Sequence, residues 1–137
     1  MSVYLSNGVV LTVNAVDLSS LVQSVIINRS FDELETTSMG QSGHTFVKGL
    51  EASSITIDFF NDSASAKTLQ TLNDAAVWGQ NVTVTAKQSS AATSAENPLY
   101  SMTCLVNNTT PINGAVGDLS MQSVTWNVSG TVAITTS

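Results

Sequence analysis

The sequence predicts a mostly β domain, two packed β-sheets forming a sandwich or partly open barrel, flanked by one α-helix. Short runs alternate between apolar and polar residues in the period of a half-buried strand. A single stretch carries the three-and-four spacing of an amphipathic helix. Glycine, proline, asparagine and aspartate clusters separate these segments. At 137 residues the chain fits one domain, residues 1–137, with one core.

The first strand is expected over 8–13, GVVLTV, after the turn pair Asn7-Gly8. Asp17-Leu18-Ser19-Ser20 breaks the pattern. A long extended segment then runs over 21–37, with Val25, Ile27 and Phe31 on one face and Ser24, Asn28, Ser30 and Asp32 on the other. Arg29, Ile26 and Leu34 fall on the wrong faces, which implies a bulge or a second buried face. A link over 38–50, SMGQSGHTFVKGL, is too long for a tight hairpin and leads to a strand with Ile55, Ile57 and Phe59 inward. A long hairpin arm on a small β body is a device for reaching another subunit.

Asn61-Asp62-Ser63 offers capping side chains, and Ala66, Leu69, Leu72 and Ala76 set a helix over about 64–77, ended by Gly79. Three more strands place Val82, Val84 and Ala86, then Met102, Cys104 and Val106, then Val124, Trp126 and Val128 inward. The run 131–136 extends the last of these past Gly130 or pairs with it. Between the first two lies 88–98, QSSAATSAENP, which reads as a flexible loop. Asn113-Gly114 after Pro111 marks a turn. No internal repeat is found.

Composition limits what the protein can do. Charged residues are 10% of the chain, and ten carboxylates face four basic residues for a net charge of −6. No basic cluster exists to displace phosphate counterions, so sequence-specific nucleic-acid binding is not expected. A surface rich in hydroxyl and amide groups costs less to desolvate than one rich in charge, which suits a subunit covered by copies of itself. Cys104, the single cysteine, belongs in the core. The start of the chain lacks a signal-peptide pattern and no run suffices to span a bilayer as a helix, so synthesis and folding in a cytosol are expected.

No catalytic, cofactor-binding or metal site is expected. His44 has no nucleophile and acid arranged around it, and one histidine with one distant cysteine gives no zinc spacing. Glu33 and Glu35 share a strand face about 7 Å apart, a separation open to acid/base work. They come with no aromatic platform for a substrate, and with Asp32 they read as a solvated face. In a ring, repeated carboxylates on an inner channel would repel a polyanion.

Several short motifs, in their order around the single helix, resemble the major tail tube proteins of long-tailed bacteriophages. They are Glu35-Thr36-Thr37-Ser38-Met39-Gly40, Val47-Lys48-Gly49-Leu50 before Ser54-Ile55-Thr56-Ile57-Asp58, Asn97-Pro98-Leu99-Tyr100, and Val116-Gly117-Asp118-Leu119 before Ser123-Val124-Thr125-Trp126. The resemblance implies a structural virion protein whose six-membered rings stack into a tube, with neighbouring strands joined in one inner barrel. It implies an arm over Ser38–Leu50 reaching the adjacent ring through Met39, Gln41, His44, Phe46 and Lys48. The inner wall would draw on the extended segments 21–37 and 52–60, with Asp32, Glu33, Glu35 and Asp58 as lumen-facing carboxylates. Implied partners are copies of the chain and other tail proteins (tape measure, terminator, distal tail), with DNA only as passing cargo and no membrane. Assembly would take place in the host bacterial cytoplasm. Capsid decoration, a head-tail neck and the tube of type VI or contractile injection systems are the alternatives.

Overall fold

The computed structural model describes residues 8–136, and their architecture is mostly β with one short helix. Asn7 of the expected turn pair lies outside the described residues. Ten strands form three sheets among those residues. A five-stranded sheet has the order β10-β8-β7-β1-β2, from β10 (Ala133–Thr135), β8 (Leu99–Leu105), β7 (Asn81–Lys87), β1 (Val10–Val13) and β2 (Val16–Asp17). A three-stranded sheet has the order β3-β6-β9, from β3 (Val22–Asn28), β6 (Ser54–Phe60) and β9 (Met121–Asn127). The third is the ribbon of β4 (Phe31–Glu35) and β5 (Phe46–Glu51).

The two larger sheets share a single apolar core. Ile55, Ile57 and Phe59 of β6 and Val124 and Trp126 of β9 join Leu11, Val13, Val82, Val84, Met102 and Cys104 from the other sheet. Each is an alternate residue of its strand, so period-2 patterning carried the inward face correctly. Burial drives the Cys104 thiol up to about 12, leaving it a neutral apolar group at physiological pH.

The segment 21–37 is two strands. Its outline as one long extended stretch fails at Arg29-Ser30, where the chain leaves the core. Of the two expected alternatives, a bulge or a second buried face, the register shows the first, with shifts between Val22 and Ser24 and again between Phe31 and Glu33. The break does not interrupt pairing with the returning chain. The Ala52 amide donates to the Ser30 carbonyl at 2.7 Å, and the Ser30 hydroxyl donates to the Ala52 carbonyl at 2.7 Å. One antiparallel ladder therefore runs from Val22–Phe59 out through Phe31–Glu51 to Glu35–Phe46.

Three expectations need correction. The helix α1 covers only Thr68–Asn73, not 64–77. Ala66 sits at φ +59°, a left-handed conformation that stops a helix from starting earlier, and Asp74 at ψ 135° ends it. Asp62 caps the Ala64 amide of the preceding turn rather than the helix. The alanines at both ends are exposed and bury too little to extend the helix, while Leu72 and Val77 reach the core. The C-terminal run pairs with β8 in the other sheet and not with β9, because the chain crosses over after the Cys104–Val128 bridge. Finally, the 88–98 loop lacks a strand, as expected, yet is tied down. Buried Asn97 donates from Nδ2 to the carbonyls of Ser89 and Ala91 at 3.1 and 3.0 Å.

Candidate functional site

The β4–β5 ribbon stands clear of the body. All five residues of β4 are exposed, and no residue of either strand enters the core. The arm thus comprises 31–51, longer than the 38–50 read from the sequence, because β4 is already clear of the core and belongs to the ribbon, and 46–50 is strand rather than link. Register sorts its side chains by face. Phe31, Glu33, Glu35, Phe46 and Lys48 share one face, and Leu34 pairs with Val47 on the other. The bulge beside Asp32 brings the strands so close that a Cβ on Gly49 would meet the Asp32 Cβ at 3.0 Å.

The five expected arm residues divide into outward and inward roles. Met39 is fully exposed at the tip, and Phe46 is half exposed. His44 Nδ1 lies 3.1 Å from Glu35 Oε2, and its ring centroid is 6.3 Å from that of Phe46. Lys48 Nζ sits 4.7 Å over the Phe31 ring, a cation–π contact across the ribbon. Gln41 serves the loop itself: its Oε1 accepts from the Ser38 amide at 3.0 Å and the Thr45 hydroxyl at 3.4 Å. The Thr45 amide donates to Thr37 Oγ1 at 3.0 Å, so the tip is a built loop.

The four expected lumen carboxylates do not converge. Glu33 stands opposite Lys48, Glu35 holds His44, and Asp32 lies on the other face of the ribbon. Asp58 belongs to the body, on the outward face of the three-stranded sheet between Ser24 and Ser123. That face is rich in hydroxyls, with Thr56 Oγ1 and Thr125 Oγ1 3.0 Å apart. The Glu33–Glu35 pair stands on an open, solvent-exposed ribbon.

Three features escaped sequence reasoning. The first is a clasp at the root of the arm. Glu51 Oε2 accepts from the Ser53 hydroxyl at 2.6 Å and from the Val132 amide at 3.0 Å. The Ser53 hydroxyl first, and then the Val132 amide, hold the Glu51 carboxyl below its ordinary value. The second is the loop 107–120, which exposes Ile112, Val116 and Leu119 almost completely. Its root is fixed by buried Gln122, whose Oε1 accepts from Thr109 Oγ1 at 2.7 Å and the Thr110 amide at 2.9 Å. Three large aliphatics set among Pro111, Gly114 and Gly117 were the available signal. The third is a cleft of about 280 Å³ at the base of the arm, lined by Val25, Ile27, Arg29, Ala86, Lys87 and Tyr100 among others.

The edges of the three-stranded sheet also differ. Asn108 Nδ2 donates to the Thr125 carbonyl, the Trp126 indole donates to the Asn108 carbonyl, and Asn113 Nδ2 donates to the Met121 carbonyl, so loop side chains cover β9. Among the described residues no strand pairs with the outer edge of β3. No protein-family model matches this sequence, and no curated protein matches it either.

Proposed function

We propose that this protein is a self-assembling structural subunit of the tail tube type, whose copies close into rings and stack around a channel for DNA. The observation that carries the reading is the arm. A two-stranded ribbon without a core of its own is marginal in water, yet this one displays Phe31, Leu34, Met39, Phe46, Val47 and Leu50 at half exposure or more. Apolar surface of that extent marks an interaction site in a soluble protein.

Two further features support the reading. Among the described residues no strand pairs with the outer edge of the seven-residue β3, which leaves a template for backbone pairing with another chain that ring closure would satisfy. The hydroxyl-rich outer face of the three-stranded sheet, with Asp58 as its carboxylate, is what a channel wall needs to let a polyanion slide without sticking.

The test is direct. Purified full-length protein, concentrated and imaged by negative stain, should give hollow filaments of uniform diameter. Compact particles of fixed small size at every concentration would refute the tube and favour a decoration or neck role.

A further inference from the structure

The three-stranded sheet has a polarity that the arm alone does not explain. At the Asn28–Ser54–Asn127 end lie the root of the arm and the cleft containing Arg29 and Lys87. At the Val22–Phe60–Met121 end lies the 107–120 loop, whose Ser120 carbonyl accepts from the Asn61 amide. Seven residues of β6 separate them, about 23 Å of extended chain. The two ends are chemically opposite. The cleft holds two of the four basic side chains of the protein above an aliphatic floor of Val25, Ile27 and Ala86. The loop bears Asp118 as its one ionisable group, between the exposed Val116 and Leu119.

We infer that the 110–119 loop of one copy docks into the Arg29–Lys87 cleft of the next copy, Val116 and Leu119 against its aliphatic floor and Asp118 against its two cations. The inference rests on the self-assembly reading and deepens it by naming both halves of a stacking contact beside that of the arm.

The loop is shaped for this before it binds. The Asp118 amide donates to the Ala115 carbonyl at 3.0 Å, closing a turn with Gly117 at φ +92° and Val116 at its tip. Its Oδ2 accepts from the Ala115 amide at 3.2 Å, and the carboxylate keeps further acceptor capacity. Preorganisation of this kind lowers the entropic cost of association. In the cleft, Lys87 Nζ donates to the Ala91 carbonyl at 2.9 Å and an ammonium has two more protons to give. Because plug and socket are different surfaces on opposite ends, the contact is heterologous and head-to-tail, the kind that extends a stack wherever its rotation does not close a ring.

Charge exchange in the full-length protein tests the docking, read by sedimentation velocity over a concentration series with micrographs of the pellet. Asp118→Asn keeps an acceptor for the Ala115 amide and should raise the concentration needed for assembly about thirtyfold or more, the effect of losing one partner of a desolvated charge pair. Asp118→Lys, or Arg29→Glu with Lys87→Glu, should abolish filaments while melting curves stay those of the parent. All three changes together should restore them. If the Asp118 and the cleft variants assemble as the parent does, the docking is wrong and the self-assembly reading stands. If only the cleft variants fail, the cleft receives another segment and the inference is overturned. A parent protein that remains monomeric at every concentration removes the self-assembly reading and the inference together.

Discussion

Shortening the arm separates its role in assembly from any role in folding. Leu34 and Val47 are registered partners, and the Thr36 amide donates to the Thr45 carbonyl at 2.8 Å two residues further out. Alternation therefore makes Leu34–Val47 a hydrogen-bonded pair, the kind that a two-residue type I′ turn joins. Replacing 35–46 by Asn-Gly keeps the register and removes Met39, His44 and Phe46. Met39 is 101% exposed and Phe46 51%. Burying a whole methionine side chain contributes about 1.5–3 kcal/mol, and half a phenylalanine about 1 kcal/mol. Losing both costs about 3 kcal/mol per contact, roughly a hundredfold in the concentration at which subunits associate. The body should not respond, since none of the removed residues belongs to the core. Its melting temperature should stay within about 2 °C of the parent. Sedimentation velocity and thermal unfolding on the same samples read both quantities. Unchanged assembly would refute the role of the arm tip, and a collapse in melting temperature would show the ribbon to be part of the folding unit.

Other consequences are sharp enough to measure. Ile57→Ala empties a fully buried site at the centre of β6 and should cost about 2–5 kcal/mol in denaturant unfolding. The Glu51 carboxyl is held below its usual value near 4.3, so the clasp stabilises the fold above that pH and is lost as pH falls through the lowered value. The protection factor of the Val132 amide, its exchange rate corrected for the intrinsic rate at each pH, should fall on acidification, and Glu51→Ala should show the lower protection already at neutral pH. Cys104 has the opposite sign. Its thiol is raised to about 12, so stability should hold below an ordinary thiol's value near 8.5 and decline as pH rises toward 12. Cys104→Ala should abolish that alkaline decline, and the native thiol should resist Ellman's reagent until the protein unfolds.

Where one face of a strand meets the core, the sequence was easy to read. Ile55-Thr56-Ile57-Asp58-Phe59 and Val124-Thr125-Trp126 alternate because burial forces every second residue to be apolar, and the structure buries those residues. The arm was harder. Phe31, Leu34, Phe46 and Val47 look like core positions, but they sit on a ribbon with no opposing layer, so periodicity misjudged where strand ends and link begins. The helix failed for a local reason: alanine spacing indicates a face but buries little, and φ +59° at Ala66 has no sequence signature. The crossing of 133–135 to β8 depends on contacts between residues far apart in sequence, which no local pattern encodes. The Glu51 clasp and the Arg29–Lys87 cleft were invisible for the same reason, since their members come from separate strands.

The bond from the Val132 amide to Glu51 joins the last residue of the β5 strand to the approach to β10, which pairs with β8. A ribbon rooted in the three-stranded sheet is in this way moored to the five-stranded one as well. Tension applied to the hairpin is shared between both layers, so the joint resists swivelling. Cutting the chain before Val132 would leave the finger on a single mooring, free to swing.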